Sequence, residues 1–192
     1  MPITSLPGKY GIGCFSKEAY AFIDWLKEAG QTYWQILPIH PTSYGDSPYQ
    51  SFSTFAGNPY FIDLEELIEE GMLTREECDS MDFGDDEDDI DYEDQYQNRY
   101  ILLTMAYERS NISQNPDYQR FVEENRWWLD DYALFMALKT FFNGQCWNEW
   151  PQDIRLRWGY SMDYYRRELY FDIEFQMFLQ YWFFKQYWRL KA

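Results

Sequence analysis

The chain has 192 residues, 46% of them apolar and 22% aromatic, and a formal net charge of −17. Its length suits one domain, or a domain with a helical insertion, and allows a sizeable core. The charge argues against nucleic acid and anionic membrane surfaces as partners, because phosphates would be repelled.

Cys14, Cys78 and Cys146 are odd in number and form no C-x-x-C pair, so neither a disulfide framework nor a zinc site is expected. Met1 leads into a proline-rich turn rather than a basic and apolar leader, and a cytoplasmic location is expected. Ser16 reads as an N-cap, with Phe22, Ile23, Leu26 and Ala29 as an apolar helical stripe and Gly30 as the stop. Tyr33 to Pro38 reads as a buried strand. Strand, helix and strand at this spacing make a βαβ unit, whose following loop lies at the end where barrel active sites sit.

That loop is the densest run of chemistry in the chain, LPIHPTSYGDSPYQSFSTFAGNPYFIDL from Leu37 to Leu64. Six prolines and glycines break regular structure, while Tyr44, Tyr49, Phe52, Phe55, Tyr60 and Phe61 supply rings that a loose loop would not need. Gly45-Asp46 and Ser47-Pro48 favour tight turns that project Ser47 and Tyr49. Aromatic plates beside hydroxyls and a carboxylate suit a pyranose, which offers an apolar C–H face and a polar rim. The same tyrosines could equally pack the loop onto its own domain.

Further on, Asp63 and Glu66 suggest a capping box ahead of a short helix closed by Gly71, and Thr74 with Glu77 suggests another. The acidic run Asp79 to Asp94 fails as an EF-hand, since Met81 and Phe83 stand where oxygen ligands are needed around Gly84. It reads as a solvated connector. Tyr92 to Arg109, Pro116 to Asn125 and Trp127 to Phe142 have helical spacing, and Ser161 to Ala192 reads as one long aromatic-rich helix without a glycine stop. Charges at Asp172, Glu174, Lys185, Arg189 and Lys191 rule that helix out as a membrane span. The expected organisation is a barrel segment with its loop over 1–72, an acidic connector and helical subdomain over 73–160, and the aromatic helix over 161–192.

Thr4 to Gly8 with Tyr10 to Gly13, Tyr33 to Pro38, Tyr44 to Asp63, Trp127 to Phe135, and Trp147 to Pro151 form a set of motifs. Together they resemble the 4-α-glucanotransferases, the amylomaltase or disproportionating-enzyme family. The resemblance spans the whole chain. It implies an α/β fold containing the first strand-helix units of a (β/α)8 TIM-type barrel with a large helical insertion. The barrel is incomplete in this chain, since a closed one takes about 250 residues and eight strand-helix units. It also implies truncation at both ends, with the family's nucleophilic aspartate, acid/base glutamate and stabilising aspartate lying beyond Ala192.

On this reading the substrate contacts are Ser47 and Tyr49, with Asp46 shaping the turn, Tyr44 as a remoter glucan contact and Tyr96 as its weaker partner. The expected ligands are α-1,4-glucans and maltooligosaccharides, the remainder of the barrel is the expected protein partner, and no cofactor or metal is implied. The chain alone is expected to be inactive. Two competing readings are a non-catalytic α-glucan-binding module and a structural helical fragment. A triad built on His40 with Ser43, Ser47 and Asp46 is disfavoured, because triads are defined by geometry that nearness on one loop does not supply. A retaining carboxylate pair needs two carboxyls about 5 Å apart in a sheltered cleft, and the acidic run offers no shelter.

Overall fold

The structure is a computed structural model that describes residues 1–42, 45–84 and 89–192. All of the secondary structure among the described residues is helical. Helix α1 is Lys17–Glu28, α2 is Leu64–Glu69 and α3 is Arg75–Asp79. A short α4, Tyr92–Asp94, runs through a π-turn at Gln95–Arg99 into α5, Tyr100–Arg109. The longest helix, α6, is Pro116–Phe141, followed by α7, Gln152–Arg155, α8, Gly159–Glu168, and α9, Tyr170–Lys191.

The expected strand at Tyr33 to Pro38 is not formed. The segment is without regular structure, and Tyr33 is 91% exposed. A strand needs ladder partners for its backbone N–H and C=O groups, and none of the described residues supplies one. The segment is instead held by Trp34, whose ring meets Phe22 of α1 at 4.9 Å and whose indole donates to the Met1 carbonyl at 2.8 Å.

Helix signals fared better, with four differences. Thr74 and Glu77 close the expected capping box of α3, whereas Asp63 caps α2 without help from Glu66, whose carboxylate is taken by Arg189. Ser16 precedes α1, but its hydroxyl donates to the Glu18 carboxylate and makes no cap bond. Pro116 to Phe142 is one helix rather than two, started by Asn115, whose side chain accepts from the amides of Asp117 and Tyr118. Nothing at Arg126 breaks it, and the guanidinium pairs along the helix with Glu123 at 3.2 Å. The expected long terminal helix is two, because Leu169 leaves helical geometry at ψ 24°, a departure that no glycine or proline signals.

The chain divides into two compact units, 1–112 with 182–192, and 113–181. In the first unit, Phe15, Phe61 and Phe183 pack with ring separations of 5.2 to 6.5 Å. Gly57 is there because Phe183 lies against its α-carbon, where a β-carbon would collide with the ring. In the same unit Arg99 has no solvent exposure. Its guanidinium donates to the Ile62 carbonyl at 2.8 Å and to the Gln95 side chain at 3.2 Å. Gln95 in turn donates to the Tyr10 carbonyl at 2.7 Å.

Salt bridges fasten the rim of this unit. Arg189 holds Glu66 at 2.5 Å, Arg75 holds Glu65 at 2.6 Å, and Arg109 holds Glu77 at 2.8 Å. The second unit is built on α6, whose Leu129, Ala133, Leu134 and Ala137 are buried. Its Tyr118 donates to Glu174 at 3.2 Å and packs edge-on to Tyr181 at 5.6 Å.

Removing the buried guanidinium would strand the Ile62 carbonyl and the Gln95 amide, so Arg99→Leu should destabilise unit 1 by about 3 kcal/mol. The urea unfolding midpoint checks this; an unchanged midpoint would refute it. Acid acts through Glu65 and Glu77, both held at about 2, by the Arg75 and the Arg109 guanidinium respectively. Their folded pKa lies below the unfolded value, so the stability they contribute is present above about 4.5 and is lost as pH falls toward 2. Asp63 opposes this, because burial raises its carboxyl and acid therefore relieves it. Unfolding measured from pH 5 to pH 2 should show a net loss, and Glu65→Gln should flatten part of the slope.

Candidate functional site

The loop from Ile39 to Phe61 is tied at its base before it presents anything. Asn58 donates its amide to the Ile39 carbonyl at 2.9 Å, and the His40 imidazole Nδ1 lies 3.0 Å from the Ala56 carbonyl. His40 is thus a tie across the loop. Ser53 Oγ accepts from the amides of Phe55 and Ala56, and Ser51 donates to the Ser53 carbonyl at 2.7 Å, so both hydroxyls serve the loop backbone.

Above this base the chain makes two consecutive left-handed residues, Gly45 at φ 86° and Asp46 at φ 53°. Glycine accepts that conformation freely, and aspartate is among the few others that tolerate it. Thr42 Oγ1 donates to Asp46 Oδ1 at 3.3 Å, holding the carboxylate. Next comes a four-residue turn, closed by the Gln50 amide on the Ser47 carbonyl at 3.0 Å, with Pro48 in the position its fixed φ suits. Ser47 Oγ accepts from the Tyr49 amide at 3.4 Å, and Tyr49 stands 74% exposed at the tip.

Asp46 faces Tyr60 and Tyr92 across a narrow cavity of about 80 Å³, which Thr42, Pro48 and Asn58 also line. Burial first, and the Asp46 carboxylate second, raise both phenols above their ordinary pKa, so they remain protonated donors at neutral pH. The Tyr60 ring lies 6.1 Å from Tyr92 and 6.5 Å from Tyr100, and Tyr96 packs 5.2 Å from Tyr100 while staying 61% exposed. One carboxylate acceptor, two phenol donors and two exposed rings are the groups a hydroxyl-rimmed ring would use.

Of the residues singled out in the sequence, Ser47 and Tyr49 share one turn with Asp46 just before it, and Tyr96 joins the tyrosine cluster facing Asp46. No hydrogen bond or ring contact among the described residues joins Tyr49 to Tyr96. Tyr44, and Ser43 beside it, lie outside the described residues. Thr42, Tyr60 and Tyr92 were missed. Thr42 shows one local signal, a hydroxyl four residues before an aspartate at a glycine turn, whereas nothing in the sequence relates Tyr60 or Tyr92 to Asp46.

The fold is shared with solved amylomaltases. The structure of the Streptococcus agalactiae amylomaltase in complex with acarbose matches with a TM-score of 0.92 and 39% identity, covering 100% of this chain and 39% of that one. The Corynebacterium glutamicum amylomaltase matches in fold with a TM-score of 0.70 at 20% identity. The family model described as 4-alpha-glucanotransferase matches residues 1–192, and the chain belongs to that family. It is 50% identical over 191 residues to the 4-alpha-glucanotransferase of Clostridium butyricum and 44% identical over 193 residues to that of Thermus thermophilus. The chain spans 39% and 38% of the length of these two relatives. No helix among the described residues is long and apolar enough to cross a membrane.

The Asp46 backbone separates two roles of its side chain. Asp46→Asn keeps tolerance of the left-handed turn and should leave stability within about 0.5 kcal/mol, whereas Asp46→Ala should cost about 1 kcal/mol. Thermal unfolding of both variants checks this; equal midpoints would show that the turn carries no strain.

Proposed function

We propose that this chain forms the glucan-binding side of a 4-α-glucanotransferase, which moves a segment of an α-1,4-glucan onto another glucan or glucose. The observation that carries the reading is the Ser47–Gln50 turn, which presents an exposed Tyr49 beside the Asp46, Tyr60 and Tyr92 pocket on a loop fixed at its base. Family membership and the acarbose in the related amylomaltase support the ligand class. The Tyr49 ring covers the apolar face of one glucosyl unit, and Ser47 Oγ and Asp46 meet its hydroxyls. Tyr96 offers a further plate, with Tyr44 as its partner in gripping a remoter part of the glucan.

A single carboxylate, Asp46, lines this pocket, whereas a retaining mechanism needs two about 5 Å apart. The chain therefore binds but does not transfer, and it depends on the rest of a barrel for chemistry. Residues 33–38 fit that organisation as a barrel strand that lacks neighbours here, with the helices within 73–160 as the insertion that follows it.

Two measurements test the proposal on the 192-residue protein. Calorimetric titration with maltoheptaose should show binding that Tyr49→Ala weakens about fivefold, the worth of one aromatic face at about 1 kcal/mol. Wild-type affinity in that variant would remove Tyr49 from the site. Incubation with maltotriose should release no glucose, and release by the pure chain would place reacting groups inside it.

A further inference from the structure

The Trp147 to Pro151 motif lies in the second unit, whereas the loop site lies wholly in the first. Around the motif is a cavity of about 300 Å³, at the lower end of the range for small-molecule sites, with Phe135, Trp147, Trp150, Asp131, Arg155 and Arg157 among its walls. Trp150 is a fixed wall: it is buried, its ring is 5.5 Å from Phe135, and its indole N–H donates to the Gln145 carbonyl at 3.0 Å. Trp147 differs, standing 57% exposed at the cavity.

The polar groups are placed as deliberately as the rings. Arg157 holds a left-handed backbone at φ 54°, a conformation that costs a residue of its shape about 1 kcal/mol or more and that clusters at functional positions. Its guanidinium donates to Asp131 Oδ1 at 2.6 Å, while Arg155 donates to the Asn148 carbonyl at 3.0 Å. A guanidinium has five N–H donors and a carboxylate several acceptor positions, so one bond between them leaves both with capacity toward the cavity. A donor and an acceptor side by side, next to an indole face, match adjacent hydroxyls and the C–H face of one sugar ring. A purely apolar ligand would leave the ion pair unused, and an anion would meet Asp131 in a chain of net charge −17.

We infer that this cavity is a second α-glucan site, taking a single glucosyl unit with its ring face on Trp147 and adjacent hydroxyls on Arg157 and Asp131. The ligand class rests on the proposed function above; the residues are independent of the loop site.

The test is calorimetric titration of the full chain with maltoheptaose, using wild type, Tyr49→Ala, Trp147→Ala, Arg157→Gly and the two double variants that combine Tyr49→Ala with Trp147→Ala or with Arg157→Gly. Arg157→Gly removes the guanidinium while suiting the left-handed backbone, so it reports on binding even where Trp147→Ala perturbs folding. Binding that survives Tyr49→Ala should weaken about fivefold on Trp147→Ala and comparably on Arg157→Gly, and the double variants should bind least. Loss of all binding in Tyr49→Ala alone, or indifference of the surviving binding to both unit 2 variants, would overturn the second site and leave the loop site standing. Binding untouched by Tyr49→Ala and weakened by Trp147→Ala would support the second site and overturn the loop site. No binding by the wild type overturns both.

Discussion

A guanidinium shut away from water organises the first unit, and its partners come from distant parts of the chain. Arg99 reaches the Ile62 carbonyl, the Gln95 side chain is bonded both to Arg99 and to the Tyr10 carbonyl, and Cys14 and Asp63 stand close enough to act on its charge. Burial alone would push such a group toward its neutral form, and it lowers the Arg99 pKa. The same burial holds the Cys14 thiol up at about 12. The network therefore exists only when three segments, 10–14, 62–63 and 95–99, are correctly placed together, which makes it a condition on the arrangement more than a source of net stability. The end of α9 joins through Gln186, whose amide brackets both the N–H and the C=O of Asp63.

This anchoring has a direct bearing on the loop. Asn58, which ties the loop base to Ile39, stands four residues before Ile62, so the frame set by Arg99 continues into the segment that ends the loop. Tyr60 lies between those two fixed points and forms the floor under Asp46. Exposed Tyr49 is consequently carried by a mount whose own side chains are already committed: Ser51, Ser53 and His40 to the backbone, Thr42 to Asp46. Preorganisation of this kind reduces what a ligand must spend in ordering the loop.

Local rules made most helices legible. Asn115 with Pro116, and Thr74 with Glu77, satisfy amides within one turn, so spacing alone identifies those starts. Residues 33–38 show the limit of that logic, because an apolar run states a preference for strand while the ladder depends on neighbours it does not encode. The break at Leu169 and the bond from Glu66 to Arg189 were equally hidden, the latter joining residues 123 apart. The Ser47–Gln50 turn was readable because Ser-Pro favours such a turn locally. Tyr92 was not, since its approach to Asp46 crosses the acidic run and depends on where α4 begins.

The π-turn at Gln95–Arg99 keeps α4 and α5 in angular register across it. Each residue of an α-helix advances about 100° around the axis, and a π-turn accommodates one more residue than the turn it replaces. Gln95 and Arg99, four residues apart and so on one face, both reach the buried interior, while Tyr96 remains outside and Tyr92 borders the Asp46 cavity. The turn is a coupling between the core and the pocket, with angular register as what it transmits. Loss of a single residue there would restore regular helix and keep Tyr92 on its face, whereas one residue added to regular helix would turn it by about 100° away from Asp46.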